Sequence, residues 1–134
     1  MSKSEKDSLS RIDLIDSPDL ILKKVRKAVT DCTGHLSYEP ESRPGVANLV
    51  DIHCGVTDTS PDQVCEAYAL QNTGQYKLAL ADLLIEKLRP IREKYERLKQ
   101  EEGYVDDVLS AGNEKARTIA VENYNSVKKL VGFT

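Results

Sequence analysis

The stretch QYKLALADLLIEKLRPIREKYERLKQ, residues 75–100, decides the fold class of this chain. Its apolar residues recur every three or four positions, as they do on one face of an α-helix. This stripe consists of Tyr76, Leu80, Leu83, Leu84, Leu88, Ile91, Tyr95 and Leu98. The stretch therefore predicts a long amphipathic helix, with a kink at Pro90 because proline has no amide hydrogen to donate.

Three further helices are predicted upstream, and each one starts at a proline. Ser17-Pro18-Asp19 combines an N-cap hydroxyl, a proline and a carboxylate in the first turn. Pro44 opens the second helix, and Ser60-Pro61-Asp62-Gln63 opens the third with the pattern of a capping box. The first helix should end near Asp31 and the third near residues 72–74. Residues 33–43 have no periodicity and read as a connector.

The spacing of apolar residues also predicts which faces of these helices are buried. In the first helix the inward residues should be Ile21, Leu22, Val25, Ala28 and Val29. Its opposite face should carry the basic cluster Lys23, Lys24, Arg26 and Lys27. In the second helix the inward residues should be Val46, Leu49, Val50 and His53, and in the third Val64, Ala67 and Tyr68.

A last helix is predicted over residues 104–131, after a break at Glu101-Glu102-Gly103. Its apolar stripe consists of Val105, Val108, Leu109, Gly112, Ala116, Ile119, Ala120, Val127 and Leu130. The small residues at positions 112, 116 and 120 would let another helix approach closely. Because almost no alternation of strand type is present, the sequence predicts an all-α helical bundle.

Composition excludes several classes of function. The 134 residues suffice for one domain, and 40% hydrophobic with 31% charged residues is an ordinary balance for a globular core. A net charge of −3 argues against a surface that coats nucleic acid generally. No apolar run reaches the roughly 18 residues of a membrane span. The cysteines, Cys32, Cys54 and Cys65, lack paired spacing, which favours reduced thiols and predicts no metal site.

No catalytic constellation is complete on the residues alone. The chain lacks the Gly-x-x-x-x-Gly-Lys loop, and its two histidines, His35 and His53, lie on different segments. The opening Ser2-Lys3-Ser4 has the composition of a mobile phosphate-binding loop and equally that of a solvated N-terminus. A helical domain without catalytic activity therefore stays an alternative interpretation at this point.

Longer stretches carry a resemblance to a known family. Met1-Ser2-Lys3-Ser4 matches the last four residues of Lys-Met-Ser-Lys-Ser, the second signature of class I aminoacyl-tRNA synthetases. RIDLIDSPDLILKKVRKAVTD (11–31) resembles the segment that follows this signature in bacterial-type tryptophanyl-tRNA synthetases, and YEPESRPGVANLVDIHCGVT (38–57) resembles their Arg-Pro-Gly-Val stretch. Residues 76–98 and 105–133 resemble their last two helices. The segment NTGQYKLALAD (72–82) is most similar to the mitochondrial members.

This resemblance implies a ligase that charges tRNA(Trp) with tryptophan through a tryptophanyl-adenylate, using ATP and Mg²⁺. By the family motif, Lys3 is the catalytic residue that stabilises the leaving pyrophosphate, and Ser2 and Ser4 join it in binding the ATP phosphates. Lysine on a mobile loop can stabilise charge that develops only in the transition state. Basic side chains that would contact tRNA are Lys77, Arg89, Arg92, Lys115 and Lys128.

The resemblance also sets expectations for domain organisation. Residues 1–16 would be the signature loop that ends a nucleotide-binding domain, 17–43 a connecting helix and linker, and 44–134 the helical tRNA domain. The nucleotide-binding fold, with its His-x-Gly-His signature and the main homodimer contacts, would precede this chain. We therefore expect the 134 residues alone to be inactive and to bind no cofactor. We also expect the chain before Ser17 to be frayed without that fold.

Two questions stay open at the level of sequence. The compartment implied by the resemblance is the mitochondrial matrix, with the bacterial cytoplasm as the alternative. A different class of function is a stand-alone helical module that binds a protein partner and has no catalysis. Coding sequence that continues upstream into a His-x-Gly-His motif would favour the synthetase over this module.

Overall fold

The structure, a computed structural model, describes residues 8–132. These residues form a short 3₁₀ turn at Ser8–Ser10 and five α-helices, with no strand among them. The helices are α1 (Pro18–Lys27), α2 (Pro44–Thr57), α3 (Pro61–Ala67), α4 (Thr73–Gln100) and α5 (Glu102–Leu130). The prediction of an all-α fold is therefore confirmed.

The chain divides into two compact units, and the boundary falls inside α4. Residues up to Glu93 belong to the first unit, and residues from Lys94 onward belong to the second. The first unit contains α1, α2, α3 and most of α4, and its helices share one hydrophobic core. The domain boundaries that the sequence suggests at residues 16 and 43 stay predictions.

Side-chain caps start α1 and α3 where the sequence predicts them. Ser17 Oγ accepts a hydrogen bond from the Leu20 amide at 3.3 Å and so caps α1. At α3, Ser60 Oγ accepts from the Gln63 amide at 3.4 Å, while Gln63 Oε1 accepts from the Ser60 amide at 2.9 Å. This reciprocal pair is the predicted capping box.

Two predicted helix ends are wrong. The first helix ends at Lys27 instead of near Asp31, because Ala28 leaves the helical conformation with ψ at 130°. The third ends at Ala67 instead of near residue 72, and a turn follows in which the Gln71 amide donates to the Tyr68 carbonyl at 3.0 Å. In both cases the apolar spacing continues past the last helical turn, so periodicity alone overestimates the length of the helix.

The core of the first unit follows the predicted inward faces of α2 and α4. Val46, Leu49, Val50 and His53 are buried on α2, as predicted. The complete buried apolar cluster consists of Ile21, Val25, Leu36, Val46, Leu49, Val50, Val64, Tyr76, Leu80, Ala81 and Leu84. The α4 stripe is buried only in its first half, since Ile91 and Tyr95 are exposed. The helix continues through Pro90.

One assignment on α1 is wrong. The sequence places Lys24 on the solvated basic face, but its side chain is only 4% exposed and lies among the buried residues of α1. It follows Ile21 by three positions, which is the spacing of neighbours on one helix face. An ion pair with Asp16, which is also buried, explains why this charge lies inside.

The segment before α1 is more ordered than expected. Residues 8–16 were predicted to be frayed, yet the turn at residues 13–16 is hydrogen bonded to itself and Asp16 is only 6% exposed. Ile12 packs against the core cluster. The expectation of a frayed tail is therefore wrong for this part of the chain, because it has its own polar and apolar partners.

The apolar stripe that the sequence predicts on α5 is exposed to solvent. Every side chain described on α5 is exposed except Lys128, which is half-buried. Leu109 and Ile119, at the centre of this stripe, are both 64% exposed. An amphipathic pattern specifies a face that can be buried, and in the second unit this face stays in contact with solvent.

His53 lies in a buried aromatic cluster with two tyrosines. Its ring stacks on Tyr76 with centroids 5.9 Å apart, and it meets Tyr68 edge-on at 5.4 Å. The Tyr76 hydroxyl lies 3.4 Å from His53 Nδ1 and donates to the Leu49 carbonyl at 3.4 Å. Burial lowers the pKa of His53, because the apolar surroundings disfavour the imidazolium.

This lowered pKa predicts that acid destabilises the first unit. The unfolded chain takes up a proton on His53 near pH 6.5, whereas the folded chain does so only at lower pH. Stability should therefore fall as the pH drops from about 7.5 to 5.5, by at most about 1.4 kcal/mol per pH unit. Urea denaturation across this range measures the slope. His53→Gln should flatten it, and His35→Gln, at an exposed position, should leave it in place.

Candidate functional site

The predicted phosphate-binding residues Ser2, Lys3 and Ser4 lie outside the described residues. What the structure does describe is the segment that follows them, residues 8–16, and its attachment to the first unit. This segment comprises the 3₁₀ turn Ser8–Ser10, which contacts α1, and a tight turn from Asp13 to Asp16.

Asp16 closes that turn on itself. Its amide donates to the Asp13 carbonyl at 3.0 Å, and its carboxylate accepts from the Asp13 amide at 2.9 Å. Arg11 Nε donates to the Asp13 carboxylate at 3.1 Å. Both main-chain and side-chain atoms of Asp16 therefore hold the turn that precedes the N-cap of α1.

Two cationic side chains from different helices meet at Asp16. Lys24 Nζ on α1 lies 2.5 Å from Asp16 Oδ2 and 3.8 Å from Asp13 Oδ2. Arg92 Nη1 on α4 donates to the main-chain carbonyl of Asp16 at 3.0 Å. The side chain and the main chain of one residue are thus bound by two separate elements.

A second polar cluster fixes the connector between α1 and α2. Arg43 Nε and Nη2 bind the two carboxylate oxygens of Asp31 at 2.7 and 2.9 Å. Arg43 Nη1 donates to the His35 carbonyl at 3.0 Å and also to Ser37 Oγ. The bond from Arg43, followed by that from the Thr33 amide, holds the pKa of Asp31 well below its usual range. The planar guanidinium therefore ties both ends of the connector together.

Gly45 allows the start of α2 to approach the backbone after α1. A Cβ atom built on Gly45 would lie 2.1 Å from the Val29 carbonyl oxygen and 3.2 Å from its carbon. No side chain fits there unless the backbone moves. The Arg43-Pro44-Gly45 stretch thus has one structural role for each residue: an ion pair, a helix start and a close approach.

The five basic residues predicted to contact tRNA fall into two groups. Lys77 and Arg92 bind main-chain carbonyls within the first unit, with Lys77 Nζ 2.8 Å from the Ala28 oxygen. Burial lowers the pKa of Lys77. Arg89 is exposed and pairs with Glu86 at 3.0 Å, Lys115 is exposed, and Lys128 lies 6.0 Å above the Tyr124 ring. The first three of these residues lie in the first unit, and Lys115 and Lys128 lie in the second.

A mainly apolar cleft of about 570 Å³ lies in the first unit between residues 9–14, α1, α2 and α4. Apolar lining is provided by Leu14, Val25, Leu49, Ile52, Leu84 and Leu88. The polar groups on its wall include Lys24 and Asn48. Among residues 8–132, no three histidine, cysteine or acidic side chains are grouped to hold a metal ion.

Comparison with known proteins identifies the family of this chain. Residues 1–90 match the family model described as tRNA synthetases class I (W and Y). The chain belongs to this family. The matched region includes residues 2–4, the Asp16 turn and the Arg43-Pro44-Gly45 stretch. The family predicted from the sequence is therefore confirmed.

Individual relatives agree with this assignment. The chain is 41% identical over 133 residues to the tryptophan–tRNA ligase of Rickettsia conorii and 40% identical to that of Helicobacter pylori. Both alignments cover 99% of this chain and 40% of the relative. The crystal structure of tryptophanyl-tRNA synthetase from Mycoplasma pneumoniae matches with a TM-score of 0.71 and 26% identity, over all of this chain and 41% of that one. This chain thus spans about 40% of the length of these synthetases.

Sequence reasoning missed two features of this synthetase segment. The Asp16–Lys24 ion pair was missed because the apolar periodicity of α1 assigns every lysine of this helix to the solvated face. The sequence feature that could have indicated this pair is the position of Lys24 beside Ile21 and Val25, on the buried face of α1. The Asp31–Arg43 pair spans twelve residues, and no spacing rule links two side chains across a connector of this length.

The fit of Gly45 against α1 gives a stability prediction. Gly45→Ala should destabilise the folded chain by about 1–3 kcal/mol, because the added methyl group meets main-chain atoms that cannot yield cheaply. The matched control is Gly55→Ala in the same helix, where a Cβ has open space. That change should stabilise by about 0.5–1 kcal/mol. Urea denaturation of both variants decides the matter, and equal effects of the two would contradict the close approach.

Proposed function

We propose that this chain forms the C-terminal part of a tryptophan–tRNA ligase, which activates tryptophan with ATP and transfers it to tRNA(Trp). The observation that carries the proposal is the family match over residues 1–90. It is supported by relatives named tryptophan–tRNA ligase that align with 99% of the chain. The activity is proposed for the intact protein, and the 134 residues alone are proposed to be inactive.

Lys3 is proposed as the catalytic residue, and Ser2 and Ser4 as its neighbours on the ATP phosphates. In the adenylate-forming step the tryptophan carboxylate attacks the α-phosphate and pyrophosphate leaves. Negative charge then develops on the leaving oxygens, and a lysine ammonium can stabilise that charge better than the charge of bound ATP. ATP with Mg²⁺ is the proposed substrate of this step, and no cofactor is proposed for the 134 residues alone.

The helices are proposed to contact tRNA(Trp) in the intact enzyme. Arg89, Lys115 and Lys128 have side chains that are at least partly accessible to a polyanion. Lys77 and Arg92 each donate to a carbonyl, so a contact with phosphate would use their remaining donors. The intact enzyme is proposed to be a homodimer through the nucleotide-binding domain.

The compartment is proposed as the mitochondrial matrix, with the bacterial cytoplasm as the alternative. The similarity of residues 72–82 to mitochondrial members supports the first. The relatives named above are all bacterial, which supports the second. Within residues 8–132, none of the helices combines the length and the apolar character that a bilayer crossing requires.

A second candidate function is a helical module that binds a protein partner without catalysis. The observation that favours it is the exposed apolar face of α5, which includes Leu109, Ile119 and Leu130. A surface of this kind is typical of an interaction site. Pairing with another part of a synthetase would equally explain it, so the enzymatic assay separates the two functions.

The catalytic assignment predicts the outcome of a lysine replacement. Lys3→Ala in the intact protein should lower the rate of tryptophan-dependent ATP–pyrophosphate exchange by about 10²–10³, because one donor to a developing charge is lost. The KM for tryptophan should change little. Lys6→Ala, a lysine outside the signature, is the matched control and should keep the rate within about twofold.

Two results would contradict this proposal. One is full exchange activity of Lys3→Ala, which would remove Lys3 from the reaction. The other is exchange catalysed by residues 1–134 alone, which would show that no further domain is needed. Absence of exchange and of tRNA charging in the intact wild-type protein would favour the interaction module.

The proposed tRNA contacts predict a different kinetic effect. Reversing the charge at Arg89, Lys115 and Lys128 together should raise the KM for tRNA(Trp) by about tenfold, because phosphate contacts contribute mainly to affinity. Pyrophosphate exchange should be unchanged, since it needs no tRNA. Reversal at Lys99, another exposed lysine of α4, is the control. An unchanged KM for tRNA in the triple variant would contradict the contacts.

A further inference from the structure

The buried ion pair between Asp16 and Lys24 is energetically costly to form, and its position in the chain indicates a functional role. The side chains of Lys24 and Asp16 are only 3% and 6% exposed, and their charged atoms lie 2.5 Å apart. Removing two charges from water costs several kcal/mol per ion, and apolar residues of the same volume often stabilise a fold at least as well. A gain in folding stability therefore explains this ion pair poorly, whereas a requirement to hold the turn before α1 in one defined position explains it well.

The bonds around Asp16 define such a position. Lys24 binds the carboxylate, Arg92 binds the main-chain carbonyl, and the amide of Asp13 donates to the carboxylate from within the turn. These donors come from α1, from α4 and from the turn itself. Rotation of the turn about the start of α1 would break at least one bond to a buried charge. The turn is therefore held in one orientation relative to two helices.

The held turn starts nine residues downstream of Ser4, the last signature residue. The described chain reaches back from Asp16 through Ile12, which packs on the core, to the 3₁₀ turn beside α1. From Ser8 to Lys3 there are five residues, which span at most about 18 Å when extended. The fixed turn is therefore separated from Lys3 by only a short stretch of chain.

We propose that Asp16 and Lys24 are positioning residues that fix the base of the signature loop, so that Lys3 meets the ATP phosphates in the reactive geometry. This inference rests on the proposed function of Lys3. Neither residue touches substrate. Arg92 completes the attachment through the main chain of Asp16, so that the orientation of the loop depends on both α1 and α4.

The test is Lys24→Met in the intact protein, assayed by tryptophan-dependent ATP–pyrophosphate exchange. Methionine keeps the length and the apolar contacts of the lysine stem and removes the charge. The expected result is a loss of 10- to 100-fold in kcat, because a small misplacement of a catalytic group has effects of about that size. The KM for tryptophan should be unchanged. Lys23→Met, at the exposed neighbouring position, is the matched control and should stay within about twofold of wild type.

A double-mutant cycle separates positioning from a general structural role. If Lys24 acts through Lys3, the variant Lys3→Ala/Lys24→Met should be no slower than Lys3→Ala alone. If the double variant instead shows the product of the two fold-losses in kcat, Lys24 acts independently of Lys3 and the inference is overturned. If Lys3→Ala alone has no effect, the proposed function of Lys3 fails, and that outcome is distinct from failure of the positioning pair.

Asp16→Asn provides the second variant. Asparagine keeps the shape of the side chain and can still accept from the Asp13 amide, but it removes the charge that pairs with Lys24. It should show the same loss in kcat and the same lack of additivity with Lys3→Ala. Thermal unfolding of each variant is measured alongside. Kinetics at the wild-type level in a folded Lys24→Met or Asp16→Asn protein, or failure of both variants to fold, would overturn the positioning role.

Discussion

Two hydrogen bonds from α4 fix the position of α1, one at each end of this helix. Lys77 binds the Ala28 carbonyl after the last turn of α1, and Arg92 binds the Asp16 carbonyl before its first turn. The two donors are fifteen residues apart, which is about 22 Å along a helix, and they fix α1 antiparallel to α4. A helix of ten residues is marginal by itself in water, so α1 needs this attachment and its buried face.

The same constraint explains the polar residues around α1. Once α1 lies against the core, the turn before it and the connector after it both pass close to buried surface. The ion pair between Lys24 and Asp16 anchors the turn, and the ion pair between Arg43 and Asp31 anchors the connector. The close approach at Gly45 then follows, because α2 starts directly beside the end of α1. The Arg43-Pro44-Gly45 stretch of this chain is thus a consequence of how α1 is packed.

Local signals were predicted well, and side-chain partners were not. Ser17 and the Ser60–Gln63 capping box start their helices as the sequence indicates, because a cap involves residues only three positions apart. The α2 face with Val46, Val50 and His53 was also correct. Lys24 was assigned to the wrong face, since its partner at Asp16 belongs to a turn that was expected to be frayed. The α5 stripe is apolar as the sequence indicates, but its described side chains are exposed.

The sequence by itself determined which segments are helical, the caps of α1 and α3 and the family, because these depend on neighbours along the chain and on motifs of adjacent residues. Only the tertiary structure decided which charges are buried, which basic residues are already used by carbonyl oxygens, and where Gly45 must lack a side chain. These properties depend on residues that are distant in sequence, such as the pair of Asp16 and Arg92. Periodicity shows that a face is apolar, but only packing determines what that face meets.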